Sequence, residues 1–318
     1  RARAVGPLLA ASLLTTAAGL SVGPEAPMVA AGAVCGAALA RRYRLDEREA
    51  AFAGAAGALT AFLGFPIAGA VFVHELATPG ADMAAGLAPT ALATIGAALA
   101  GWLLKGGTIG GHFRWGAVEP LSARTYALAC GIGAVGALVG GAFVAACDAV
   151  RARSVPPSRR REVLVRAGAG LGAGLLALRY PQSLFWGEQS LQTAIDGVSA
   201  PEALLYPVAL QGPHATAPFG LGLGAAKLAA IALAAGAGCP GGVIFPLFFA
   251  AGALAHGAIA AAHLPAATVA LLMAAVQASV TRTPLSTALM LAFSGHLGAP
   301  LTPLCAVRAC PAVTPARA

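Results

Sequence analysis

Residues 19–28 read Gly-Leu-Ser-Val-Gly-Pro-Glu-Ala-Pro-Met and set one carboxylate, Glu25, in a Gly/Pro break between two long apolar runs. Residues 236–246, Gly-Ala-Gly-Cys-Pro-Gly-Gly-Val-Ile-Phe-Pro, form a second break with apolar flanks. Within hydrocarbon, irregular backbone is tolerated only where it is buried in protein or lines a polar cavity. Pro24 and Pro27 fix φ near helical values and refuse incoming backbone pairing. The residues around them therefore open a helix whose first N–H groups lack partners. Pro240-Gly241-Gly242 before Val243-Ile244-Phe245-Pro246 does the same in the second half. Free helix-start donors at the positive end of a helix dipole bind anions. Gly23 and Gly242 let the chain approach such an ion with no Cβ in the way. If both starts converge, backbone dipoles hold an anion firmly enough to enter and weakly enough to leave.

Glu25 adds a switch to this arrangement. A charge isolated in hydrocarbon costs at least ~2.5–3.5 kcal/mol, so it asks for a function or a partner. Ionised, it occupies the place a permeant anion wants; protonated or swung aside, it lets the anion pass. The plainer reading is an acidic residue near a helix start, which the dipole favours anyway. The expected anion-binding set is Gly23, Glu25, Ala26, Gly242, Val243, Ile244 and Phe245, with Glu25 as the gate. Glu75, beside His74, reads either as a proton relay or as a structural carboxylate bonded to backbone or arginine. Arg282 interrupts an apolar run and is expected to tie loops together. His256, His263 and His296 lack ligand spacing, so no metal is expected. The cysteines at 35, 130, 147, 239, 305 and 310 show neither metal-ligand spacing nor a disulfide framework. With no nucleophile–base pair either, neither an enzyme nor a cofactor is expected.

The elements that position these residues are membrane elements. The chain is 58% hydrophobic and 10% charged, with a mean hydropathy of +0.79, where soluble domains carry about a quarter charged residues. Segments 87–104 and 126–147 are almost free of polar residues, which excludes the polar faces of a soluble bundle. The reading is an all-α, multi-pass integral membrane protein in a lipid bilayer. Basic residues crowd into Arg41-Arg42-Tyr43-Arg44, Arg48 and the run from Arg151 to Arg166. Their apolar flanks and lack of interleaved aromatics speak against nucleic acid and for cytoplasmic loops.

Apolar runs lie at 4–22, 27–40, 50–63, 66–77, 84–104, 126–150, 163–178, 203–210, 219–237, 243–262, 266–280 and 284–299. A single crossing needs about 20 residues, so several are too short. Runs 50–63 and 66–77 meet at Gly64-Phe65-Pro66 and read as two half-length helices, because Pro66 opens a helix but does not continue one. As a re-entrant pair they leave 84–104 and 126–150 as the crossings between the basic loops. Both loops then fall on one side. Segments 106–125 and 186–202 read as polar loops, and Tyr180 and Trp186 as markers of the lipid–water boundary. A surface pair is expected between Asp148 and Arg151. The linker 151–161 divides a single membrane domain, residues 1–318, into pseudo-repeat halves of about 1–155 and 156–318, one break in each. The start at Arg1 inside an apolar run and the weakly patterned tail 310–318 suggest a domain incomplete at both ends.

Gly19-Leu20-Ser21-Val22-Gly23-Pro24-Glu25-Ala26-Pro27-Met28 resembles the G-[KR]-E-G-P signature of the CLC chloride channels and chloride/proton antiporters. Residues 238–246 resemble that family's G-x-F-x-P signature. Gly64 to Glu75 is similar to its N-A-P-[LI]-A-G-x-x-F-x-x-E, and Ala278 to Leu285 to its A-x-x-R-x-P-L. All four stand in family order across roughly residues 5–305, and Lys227 ahead of the second break also fits. The resemblance implies a helical membrane fold of inverted halves, a homodimer with one anion pathway per subunit, and chloride as the permeant ion. It makes Glu25 the gating glutamate and assigns N–H groups near Glu25, Ala26, Val243 and Ile244 to the anion.

The departures from the family are specific. Pro24 replaces Lys or Arg and Ala26 replaces Gly, so the entrance should attract anions less. Ile244 stands where Phe is usual. Leu76 occupies the position that holds a second, inner proton glutamate in many antiporters. The family's serine segment would be expected ahead of Arg1, and no Tyr follows Tyr206 to supply the pore tyrosine. The expectation is voltage-gated channel-like, passive chloride transport gated by Glu25. The alternatives are a chloride/proton antiporter of the same family and a non-conducting fragment.

Overall fold

The computed structural model describes residues 2–64, 66–76, 83–105, 113–115, 122–153, 158–197, 210 and 216–294. Regular structure there is helical: α1 (Ala2–Ala17), α2 (Glu25–Tyr43), α3 (Glu47–Leu63), α4 (Pro66–Leu76), α5 (Met83–Lys105), α6 (Ala123–Ala152) and α7 (Arg159–Arg179) make up the first part. A 3₁₀ turn (Pro181–Ser183), α8 (Leu191–Asp196), α9 (Ala217–Gly236), α10 (Ile244–Ala262), α11 (Thr268–Thr281) and α12 (Pro284–Ser294) follow.

Local sequence explains where the helices stop. Asp46 caps α3 by accepting from the Glu49 N–H at 2.8 Å, and Gly64 closes it in the left-handed region at φ 75°, donating to the Thr60 carbonyl. Pro66 then opens α4, so the chain divides at Gly64–Pro66 as expected, though α3, at 17 residues, is longer than the half-length helix read from the sequence. Ser122 and Ser158 cap α6 and α7 in the same way as Asp46, through the N–H groups of Thr125 and Arg161. Helices α2 and α3 pack backbone to backbone, since a Cβ on Gly32 would run into Gly54 and one on Gly54 into Gly32. Small residues at such contacts are how helices associate in lipid.

Helices α9, α10 and α11 form the buried centre: Leu223, Ile231, Leu247, Phe249, Leu271 and Met273 have no exposed surface. Helix α5 is the opposite case, with Leu92, Leu103 and Leu104 70%, 73% and 87% exposed. Apolar side chains this bare on a 23-residue helix suit a lipid-facing wall. Four stretches are long and apolar enough to cross a membrane: Leu87–Leu104, Ala123–Ala152, Ala217–Gly236 and Ile244–Ala262. The first two lie between the basic loops.

Two details depart from expectation. The supposed polar loop 186–202 contains α8, whose Leu191, Thr193, Ala194 and Ile195 are buried, because it docks on α10. The basic linker is partly helical, since α7 already begins at Arg159. Half-buried Trp186 packs against Phe62, ring centroids 5.7 Å apart, and Tyr180 on Phe219 at 5.8 Å. Asp148 and Arg151 form the expected exposed pair at 3.7 Å. The run 203–209, His296, Cys305 and Cys310 lie outside the described residues.

Candidate anion site

The two breaks meet. The Gly23 N–H donates to the Gly242 carbonyl at 2.8 Å and the Gly242 N–H to the Gly23 carbonyl at 2.6 Å, a single antiparallel bridge. The close approach excludes larger residues: a Cβ on Gly23 or Gly242 would collide with the Glu25 carboxylate, and one on Gly241 would meet Val22 at 2.5 Å. Gly23 and Gly242 thus contribute differently from the other residues of the expected set. Their N–H groups are committed to each other, so they shape the site and donate nothing into it.

The bridge brings the starts of α2 and α10 together. Neither start has a side-chain cap, and each carries proline at its third position, Pro27 and Pro246. Proline there removes one donor and leaves the N–H groups of Glu25 and Ala26 on one helix, and of Ile244 and Phe245 on the other, without a carbonyl one turn back. The first i−4 bonds follow at once, Met28 to Pro24 and Leu247 to Val243, both 3.0 Å. Glu25 is 2% exposed and bends across, so that its Oε1 accepts from the Phe245 N–H at 3.4 Å; its Oε2 is buried with no hydrogen-bond partner. The carboxylate therefore stands at the positive end of α10. Ile244 and Phe245 are buried around it, whereas Ala26 is exposed and Val243 and Pro24 are half-buried, so one side remains reachable. Phe62 stacks edge-on against Phe245 at 5.7 Å and forms part of the wall.

The remaining candidates lie elsewhere. Both Glu75 oxygens are taken up at the start of α12: Oε1 accepts from Leu285 N–H at 2.8 Å, Oε2 from Ser286 N–H at 2.8 Å and from Ser286 Oγ at 2.6 Å. The stretches around Glu75 and Pro284 are thereby joined to each other. Arg282 is exposed in the left-handed C-cap of α11. His74 bonds Thr90 Oγ1 at 2.9 Å. Among the described residues, no three His, Cys, Asp or Glu side chains come together in a metal-holding group.

A family model for voltage-gated chloride channels matches residues 4–309. This chain belongs to that family, the CLC family. Among its relatives are a ClcB-like chloride channel protein of Ralstonia nicotianae, 30% identical over 89% of this chain and 65% of that protein, and the voltage-gated ClC-type chloride channel ClcB of Salmonella dublin, 30% identical over 75% and 53%. The chain thus spans between about half and two thirds of those relatives' length. A CLC-type fluoride/proton antiporter shares the fold at TM-score 0.75 and 22% identity, covering 95% of this chain and 73% of that one. A slow cyanobacterial chloride/proton antiporter does so at 0.73 and 16%, covering 93% and 69%. The chain is accordingly a polytopic membrane protein with the all-α CLC fold.

Proposed function

We propose that this CLC protein moves chloride across a membrane, passively, through the site between the α2 and α10 starts, with Glu25 as its gate. One observation carries the reading: the Gly23–Gly242 bridge aims two uncapped helix starts at one place, and a single carboxylate already occupies it. Ionised Glu25 holds the Phe245 N–H and excludes the anion. Protonation removes the charge that bonds there and frees the position for chloride, so acid should promote flux. Gly23, Ala26, Gly242, Val243, Ile244 and Phe245 complete the site, as backbone donors or as the glycines that let them approach. A homodimer with one pathway per subunit belongs to the same proposal.

A second reading, chloride/proton antiport, has an observation of its own. A partly open cavity of about 800 Å³ lies between α2, α3 and α4, lined mostly by apolar side chains, Val29 and Leu76 among them, with Arg41, Glu47 and Arg48. Val29 lies four residues from Glu25, on the same face of α2. Water in that cavity would give protons a route to Glu25 even though Leu76 carries none. Chloride flux into liposomes under an imposed pH gradient separates the two. Passive transport only dissipates a chloride gradient, whereas an antiporter drives chloride uphill. No flux of either kind, at any pH, sinks the transport assignment.

A further inference from the structure

Lys227 lies in the middle of α9 with no exposed surface, unlike the other basic residues of the basic loops. Its ammonium donates to three successive carbonyls, Ser183 at 3.3 Å, Leu184 at 3.0 Å and Phe185 at 2.6 Å. Its Nζ also lies 5.3 Å from the centroid of the Phe249 ring. Among the described residues no carboxylate pairs with it. A buried ammonium held by carbonyl dipoles alone has used its three protons on one short turn, and that turn is where its effect must be sought.

The turn is attached to both helix starts. Phe185, in the left-handed region at φ 56°, directs its N–H to the Gly19 carbonyl at 2.9 Å, at the root of the first break. Gly187, at φ 84°, lies so close beneath Phe249 that a Cβ would stand 3.3 Å from that side chain and 3.5 Å from the Lys227 ammonium. Phe249 is one helical turn beyond Phe245, whose N–H holds Glu25. Lys227 thus grips a segment that touches the first break on one side and α10 on the other.

We propose that Lys227 is a positioning residue for Glu25: by clamping the 183–187 turn against Gly19 and Phe249, it sets how the two helix starts meet. Only its consequence for flux rests on the transport reading. The test combines amide hydrogen exchange with chloride efflux, on the full-length protein in lipid. In Lys227→Met, exchange at Phe185, Gly23 and Gly242 should rise together by at least tenfold while α11 stays protected, and efflux should fall at least tenfold. Lys227→Arg should restore both, because a guanidinium can donate to the same carbonyls. If Lys227→Met does not fold, Gly187→Ala keeps the ammonium, strains the same turn and should give the same pattern in milder form. Faster exchange at Phe185 alone, or spread evenly along the chain, overturns the proposal, as does lost efflux with unchanged exchange. Should the unaltered protein carry no chloride, the exchange measurements still decide the role of Lys227, and the failure belongs to the transport reading.

Discussion

In the proposed mechanism Glu25 is both the acid of the site and a rival of its ligand. Its carboxylate reaches the Phe245 N–H at 3.4 Å, a long bond for a charged acceptor, and Oε2 has no partner. A bond this loose can be given up. Glu25→Gln should therefore raise chloride efflux severalfold at neutral pH and flatten its rise with acid; efflux from liposomes over a pH series measures both. Persistent acid activation in that variant would remove Glu25 as the gate. Gly242 tests the backbone instead. The valine side chain in Gly242→Val would strike the Glu25 carboxylate, and overpacking of this kind costs roughly 1–3 kcal/mol. Permeation should be lost while the protein still folds, and ordinary conduction in a correctly folded Gly242→Val protein would refute the close approach.

At the scale of elements, broken helices are what let backbone do chemistry here. An unbroken α1–α2 or α9–α10 helix would spend its N–H groups on its own carbonyls. The breaks leave donors free and the bridge points them at each other. Helix α12 shows the same physics used for structure, since its free start is satisfied by Glu75 from α4. Glu75→Gln retains one acceptor oxygen and loses the charge. It should destabilise the α12 start by about 1–2 kcal/mol, read as faster hydrogen exchange at Leu285 and Ser286, with the pH dependence of efflux unaltered. A changed pH dependence would instead speak for a proton relay through Glu75.

For the whole molecule, the exposed apolar sides of α5, α6 and α7, among them Leu104, Leu138 and Leu178, are 87%, 72% and 83% bare and suit contact with acyl chains. The basic loops bracket two helices long and apolar enough to cross a membrane, α5 and α6, and two crossings would return the chain to the side it left. Single cysteines at Arg44 and Arg160, both exposed, should react with a membrane-impermeant maleimide from the same side of sealed vesicles, in a background free of other cysteines. Labelling from opposite sides would overturn this topology and the re-entrant α3–α4 pair with it.

Much of this was legible in residue types. Glycine and proline mark where a helix must stop, so the breaks before Pro24 and Pro240 and the Gly64–Pro66 division between α3 and α4 follow from φ restriction and missing donors alone. The apolar excess determines the membrane, and a lone acid in hydrocarbon marks Glu25. Partnership over long separations was not legible. The Gly23–Gly242 bridge uses N–H and C=O groups that nearly every residue carries, and no side-chain pattern announces which of them will pair. Only the tertiary fold decided that Glu75 serves α12, that Trp186 packs on Phe62, and that the Lys227 ammonium ends on three carbonyls. In each case the choice was set by which elements pack together, a property of the assembled helices that local spacing does not contain.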